Sequence, residues 1–258
     1  MAANVVLVKV GGAEIAEGPD LEVLVHALGE LATNSPLIIV HGGGPEIAQL
    51  QKKLGIEPCF VEGLRVTDED SLAVAEMVLS GAVNKRLVAH LMAAGVKALG
   101  LSGIDGGLIH ARRMQHAKAD LGLVGEIIRV NTELLAWVIE GGYTPVISPI
   151  SLGENDRALN VNADHAALAI AGAMKAAEAI FLTDVPGVLG EGELLATLDA
   201  SQADLLIASG VITSGMVPKV RSALDALHRG VGRVRITNLA GLHAGTGTWL
   251  YSIPTEAR

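Results

Sequence analysis

The sequence predicts an α/β protein with a mostly parallel sheet covered by helices on both faces. Two observations carry that expectation. Short runs of Val, Ile and Leu alternate along the chain with longer segments of 3.6-residue apolar periodicity. Half of the 258 residues are apolar yet only 2% are aromatic, so the core must be assembled from Val, Leu, Ile and Ala. That material suits parallel sheet under helices better than an aromatic-rich sandwich. The length fits one large domain or two modest lobes. A division near residue 178 would give an N-lobe and a C-lobe, although no linker or low-complexity stretch marks it.

In chain order, "VVLVKV" reads as a strand buried on both faces and stops on Gly11-Gly12. "DLEVLVHALGELATN" sets Leu21, Leu24, Val25, Leu28 and Leu31 on one helical face. "PLIIVH" is a short buried strand, and "PEIAQLQKKLG" has Pro45 at a first helical position and Gly55 as its stop. Residues 57–68 lapse into a loop or small hairpin. A long helix follows over 71–94, weakened by Gly81, and then the strand "VKALGLSG". "GGLIHARRM" and "GEIIRVN" look like short antiparallel pieces. Residues 131–140 are helical, "YTPVISPI" is a strand, and "ALNVNAD" is extended before a helix at 165–175. "AIFLTDV" and "GRVRITN" are strands, separated by the loop "PGVLGEG" and by helices near 199–209 and 217–229.

Composition excludes several classes. A net charge of −9 opposes a nucleic-acid or anionic-membrane surface. The single cysteine, Cys59, rules out an intrachain disulfide framework and a Cys-rich zinc site, and reads as a small half-buried side chain. The most apolar stretch is interrupted by Lys175 and Glu178, and the N-terminus lacks a leader pattern. The expectation is therefore a cytoplasmic protein.

The chemistry-bearing residues sit where strands end, the edge at which open α/β sheets bind ligands. Gly11-Gly12 follow the first strand, and Gly42-Gly43-Gly44 lead from the second strand into a helix. Glycines admit close backbone approach to an anion, and the helix N-terminus adds a favourable dipole. Tight turns alone would explain the same pairs. Lys9, inside an apolar strand, must snorkel to solvent or aim its ammonium at an anion. Arg65 in an irregular region is suited either to clamping a carboxylate or to solvation. Asn160, Asn162 and Asp164 alternate along an extended piece and so share a face, with Asp164 equally able to cap the next helix. Lys219 stands just inside a helix start, where a cation is unfavourable without an anion. GxxxxGK[ST], the dinucleotide fingerprint, GxSxG and HExxH are all missing. His41, after a buried strand, reads as a packing residue rather than a base. Lysines, an aspartate and glycine turns without a covalent nucleophile fit phosphoryl transfer.

"VKVGG", "IIVHGGGP", "GLRVTDE", "GAVNKRLV", "DLGLVGEI", "LNVNADHAA", "FLTDVPGVL" and "SGMVPKV" occur in the order found in the amino acid kinase family. The chain resembles that family from about residue 5 to residue 250, and within it the acetylglutamate kinases most. The resemblance implies an open three-layer αβα sandwich, with acyl-amino-acid binding and dimerisation in the N-lobe (1–178) and ATP binding in the C-lobe (179–258). It implies ATP-dependent phosphorylation of the γ-carboxylate of N-acetyl-L-glutamate, a step of arginine biosynthesis. By this resemblance Lys9 and Lys219 stabilise the transferring phosphoryl group and Asp164 organises them. Gly43 and Gly44 match the turn at substrate and γ-phosphate, and Gly11 and Gly12 the first glycine turn. Arg65 and Asn160 match the substrate grip. Asp184, Val185, Pro186, Gly187, Val188 and Leu189, with Val211, Ile212 and Thr213, fall on segments lining the nucleotide. Mg2+ is expected to ride on phosphates and water, with no dedicated protein cage.

Two alternatives remain at this level. One is a kinase for α-aminoadipate held by an acidic carrier protein in lysine biosynthesis, with Arg112, Arg113 and Lys118 as a docking patch. The other is a catalytically silent nucleotide-binding module, which would be expected to lose a charged position, whereas Lys9, Asp164 and Lys219 are all present. Arginine-inhibited family members carry an extra N-terminal helix that joins dimers into hexamers. Only about four residues precede the first strand here, fewer than a stable helix needs, so a homodimer insensitive to arginine is expected. "NLAGLHAGTGTWLYS" partly resembles the region that completes the arginine site.

Overall fold

A computed structural model describes residues 4–190, 192–212 and 216–251. From the N-terminus, β1 (Val6–Val10) leads through α1 (Pro19–Asn34) to β2 (Leu37–His41) and α2 (Gly44–Leu54). A small hairpin, β3 (Phe60–Val61) with β4 (Leu64–Arg65), precedes α3 (Glu69–Glu76), a π-helical segment over Met77–Val83 and α4 (Asn84–Ala93). Next come β5 (Ala98–Gly103), β6 (Ile109–Arg113), β7 (Gly125–Val130), α5 (Thr132–Glu140), β8 (Thr144–Leu152), β9 (Ala158–Asn160) and α6 (Ala163–Ala173). The remainder comprises β10 (Glu178–Leu182), the hairpin β11 (Leu189–Gly190) with β12 (Glu193–Leu194), β13 (Thr197–Asp199) and α7 (Ala200–Ala208). It continues through α8 (Met216–His228), β14 (Arg233–Thr237), α9 (Leu239–Ala244) and β15 (Thr248–Tyr251).

One 11-stranded sheet runs in the order β13-β15-β14-β10-β1-β2-β8-β6-β7, with β5 and β9 also paired to β8. β1 lies at its centre, parallel to β2 on one side and β10 on the other. Antiparallel pairing is confined to β6–β7, β8–β9 and β14–β15 within this sheet. The sheet runs without a break across residue 178, which opens β10.

Side chains of a strand alternate between faces, and β1 obeys this rule with consequences for the site. Val6, Val8 and Val10 pack with Leu24 and Leu28 of α1 and Leu87 and Leu91 of α4. Leu7 packs with Ala167, Leu168 and Ile170 of α6 and Val220 and Leu224 of α8 on the other face. Lys9, two residues after Leu7, shares the α6 face.

The structure corrects the sequence reading in several places. The helix expected over 71–94 runs without a break from Glu69 to Ala93, but with π-helical pitch over Met77–Val83 around Gly81. The "PGVLGEG" loop contains β11 and the start of a hairpin, and α9, β13 and β15 had no expectation at all. Cys59 is exposed rather than half-buried, because it sits on the loop before β3.

Candidate active site

Lys9 stands near the carboxyl end of β1, opposite Val40 of β2 and Phe181 of β10. Its ammonium lies 2.9 Å from Asp164 Oδ1, with side-chain exposures of 14% and 38%. Asp164 is the second residue of α6, where the helix dipole favours a carboxylate. The helix is capped by Asn162, whose Oδ1 accepts from the backbone N–H of Asp164 at 2.8 Å and of His165 at 3.3 Å. Asp164 is therefore not the cap. Nor do Asn160, Asn162 and Asp164 share one extended face: the strand ends at Asn160 and the helix begins at Ala163.

The two glycine turns press together beside this pair. A Cβ on Gly12 would stand 2.7 Å from Pro45 Cδ and 3.0 Å from Gly43 Cα, and one on Gly43 would meet Leu79 Cδ2 at 2.7 Å. Both positions thus need glycine for packing. Gly44 has no atom within 4 Å of where a Cβ would stand, and Gly11 has only the Glu14 carboxylate nearby. Ala163 Cβ lies 3.8 Å from the same point on Gly42, so the N-termini of α2 and α6 both meet this edge. A helix start gathers unpaired N–H groups and partial positive charge, which suits an anionic group.

His41 supports the second turn from below. It is fully buried, and its Nδ1 lies 2.9 Å from Gly42 O while Nε2 lies 3.0 Å from Asn84 Nδ2. The carbonyl can only accept and the amide nitrogen only donate, so the proton resides on Nδ1. Burial is the main cause that pushes the imidazole down to about 4. This neutral ring is a packing and hydrogen-bonding residue, as its setting in the sequence suggests. Asn84, at the exit of the π-helical segment, also donates to Val146 O at 2.9 Å, tying β8 to the end of β2.

Arg65 and Asn160 come together around a small cavity of ≈ 50 Å³ lined by Leu64, Arg65, Val124, Asn160, Val161 and Asn162. Asn160 donates to Thr67 Oγ1 at 3.1 Å, and Thr67 Oγ1 donates to Arg65 O at 2.9 Å. Thr67 O accepts from Leu123 N at 2.6 Å, and Asn160 N donates to Leu123 O at 2.9 Å. The "DLGLVG" segment therefore stitches β4 to β9. Gly122, at φ +71°, makes this possible: a Cβ there would stand 2.2 Å from Thr67 O. Neither Thr67 nor Gly122 was singled out from the sequence; the signal was a glycine set between two leucines. Partial burial lowers the Arg65 guanidinium from its ordinary value, and it remains protonated all the same.

The residues that the resemblance matches to nucleotide-lining segments follow β10 and α7. Asp184 follows β10, and Lys219 of α8 lies 3.9 Å from its Oδ1, with side-chain exposures of 38% and 87%. The hydrogen bond from Thr183, and then the Asp184 backbone N–H and the Lys219 charge, hold the Asp184 carboxyl below its usual value. Lys219 thus meets Asp184, while Asp164 meets Lys9. Val185 is half-buried, Pro186 and Leu189 are exposed, and Gly187 and Val188 are buried. Val188 N donates to Thr248 Oγ1 at 2.8 Å. Val211 is half-buried and Ile212 buried. Val188 and Ile212 accordingly spend their side chains on the core. Thr213 lies outside the described residues.

Among the described residues no group of three or more His, Cys, Asp or Glu side chains is placed to hold a metal ion. A cavity of ≈ 780 Å³ opens away from the glycine turns between β7, α6 and α8, with Arg129, His165 and Arg221 among its lining residues. The basic patch weighed as a carrier-docking site is neutralised. Arg112 pairs with Glu126 at 2.9 Å, Arg113 with Asp120 at 2.6 Å and Lys118 with Glu62 at 2.5 Å.

A lysine at the end of β1, a second near the start of α8, paired glycine turns and two helix N-termini at one sheet edge define an α/β protein suited to anionic groups. The model described as "Amino acid kinase family" matches residues 4–238. The chain belongs to the amino acid kinase family. It is 49% identical over 237 residues to an acetylglutamate kinase of Roseiflexus sp. (strain RS-1), covering 92% of this chain and 89% of that one. It is 44% identical over 250 residues to an acetylglutamate kinase of Methanopyrus kandleri, covering 94% and 98%. Among solved structures, smu.665 from Streptococcus mutans UA159 superposes with a TM-score of 0.80 at 30% identity, covering 96% of this chain and 98% of that one.

Proposed function

We propose that this protein transfers the γ-phosphoryl group of ATP to the γ-carboxylate of N-acetyl-L-glutamate, yielding N-acetyl-L-glutamyl 5-phosphate and ADP in arginine biosynthesis. The observation that carries the reading is the Lys9–Asp164 pair at the carboxyl edge of the central strand, between the glycine turns and within the family whose named relatives are acetylglutamate kinases. A carboxylate oxygen attacks the γ-phosphorus as the bond to the bridging oxygen of ADP breaks. The attacking carboxylate is already ionised at neutral pH, so no general base is needed, consistent with the neutral, buried His41. The demand is to suppress repulsion between two anions and align them in line. Lys9, the backbone of Gly11–Gly12 and Gly44, and Lys219 would hold the phosphates; Arg65 and Asn160 would hold the acylamino acid. Mg2+, carried by the phosphates, would supply further charge neutralisation when bound.

The carrier-linked aminoadipate reading loses support, because each basic residue of its docking patch already has a carboxylate partner. The silent-module reading loses support from the retained Lys9, Asp164 and Lys219. Two-fold pairing is the commonest assembly for soluble oligomers, and a homodimer is part of the proposal. Incubation with MgATP, N-acetyl-L-glutamate and hydroxylamine tests the function: an acyl hydroxamate formed in step with ADP supports it. ADP formation without hydroxamate, or no turnover at all, refutes it.

A further inference from the structure

We propose that Gln51 is a neutral positioning residue: it fixes Arg65 at the substrate cavity while leaving the guanidinium's positive charge uncompensated for an acidic ligand. The inference rests on the reading that Arg65 grips a carboxylate of the acylamino acid.

Ile47 and Gln51 lie one turn apart on the buried face of α2. Gln51 is 0% exposed, an unusual place for an amide unless every polar atom has a partner. Its Oε1 accepts from Arg65 Nη1 and its Nε2 donates to Ser71 Oγ at 3.0 Å. A guanidinium has donors only, so the amide oxygen must face it and the NH2 must face the hydroxyl. Ser71 stands in the first turn of α3, where Asp68 Oδ1 accepts from its backbone N–H at 2.8 Å. Hydrogen bonding from Ser71 holds the Asp68 carboxyl below its usual value. The contacts run in one direction: Arg65 donates to Gln51, Gln51 to the Ser71 hydroxyl, and the Ser71 backbone N–H to Asp68. Two neutral groups thus separate the cation from the carboxylate that anchors it.

The other contacts of Arg65 are neutral as well. Nη2 donates to Gly44 O at 3.4 Å, and the guanidinium lies 4.6 Å from the Phe60 ring centroid. Among the described residues Arg65 has no carboxylate partner. Arg86, Arg112, Arg113, Arg157, Arg229 and Arg233, by contrast, are each paired with one. Glutamate at position 51 would have nearly the same shape, but it would close an ion pair in a half-buried setting. An incoming carboxylate would then meet a guanidinium already spent. A neutral amide keeps the aim and leaves the charge.

The substrate's γ-carboxylate is the one that reacts, which leaves its α-carboxylate for Arg65. The α-amide of N-acetylglutamate therefore makes the decisive comparison. Native protein, Gln51→Glu, Gln51→Met and Arg65→Ala are compared by thermal unfolding and by KM and kcat for both substrates and ATP. Gln51→Glu is expected to melt at or above the native temperature. Its KM for N-acetylglutamate should rise about 10-fold or more, with KM for ATP little changed. It should also lose the preference for acid over amide. Gln51→Met should raise the same KM yet keep that preference, because Arg65 stays cationic; this arm carries the test if the Glu variant fails to fold. A native KM and preference in folded Gln51→Glu, or a native KM in Gln51→Met, would overturn the proposal while a raised KM in Arg65→Ala keeps the substrate reading intact. An unchanged KM in Arg65→Ala overturns the substrate reading itself.

Discussion

The two sides of the candidate site are built differently. On the side of β1, β2 and α6, the charged pair is short and largely enclosed: Lys9 and Asp164 meet at 2.9 Å, with Lys9 only 14% exposed. The glycine turns beside it are locked by contacts with Pro45 and Leu79 and underpinned by buried His41 and Asn84. On the side of β10 and α8, Lys219 and Asp184 stand 3.9 Å apart, and Asp184 is 87% exposed. Core packing fixes the first geometry before any ligand arrives. The second pair sits in high dielectric, where such an ion pair contributes little; its geometry must come from what it binds. In the proposed reaction the buried half would meet the transferring phosphoryl group with a preset geometry, and the open half would be completed by the nucleotide's own charge.

If the first side is held by packing, it must be sensitive to small changes in backbone space. The largest loss of stability is expected for Gly122→Ala. The new Cβ combines a positive φ with a 2.2 Å approach to Thr67 O, a cost of about 3–4 kcal/mol. The urea midpoint should fall without a change in slope, and a value near native would mean that the stitch between β4 and β9 bends freely.

His41 offers a second handle on the same side. The unfolded imidazole protonates near 6.5 and the buried one near about 4, so the unfolded state takes up the proton first as pH falls. Stability from this residue is fully present above 6.5, is lost progressively down to about 4, and totals roughly 3 kcal/mol. Subtracting the profile of His41→Gln from the native one isolates that slope. Parallel profiles across the window would show that His41 is not buried neutral.

The smallest effect belongs to the helix cap. Asn162→Ala removes the one oxygen that accepts from two N–H groups at the start of α6 and should cost about 1 kcal/mol. Its value is diagnostic, since the same helix carries Asp164. A loss of kcat much larger than the loss of stability would show that the cap sets the carboxylate's position.

Much of the fold was legible because β1, β2 and β10 are nearly uninterrupted apolar runs, and because glycines follow two of them. Lys9 was conspicuous as a charge inside the β1 run. Gln51, Thr67 and Gly122 were not, because their work is done across distances in sequence that periodicity does not reach. Gln51 looks like an ordinary polar helix residue until α3 supplies Ser71. Capping was one of two roles open to Asp164, and the turn geometry gives that place to Asn162, two residues earlier. β15 escaped notice because its short run lies among glycines and threonines, with a helix of six residues just before it.

The central claim is that an enclosed lysine and an open one serve the same phosphoryl group. Hydroxamate formation from N-acetylglutamate at saturating MgATP, measured for native protein, Lys9→Ala and Lys219→Ala with folding checked by circular dichroism, tests it most directly. Each variant should lose kcat by about 100-fold or more, as expected when a strong electrostatic donor is removed from a transition state. A folded Lys219→Ala variant with near-native kcat would contradict the account, leaving that lysine an exposed surface charge beside Asp184.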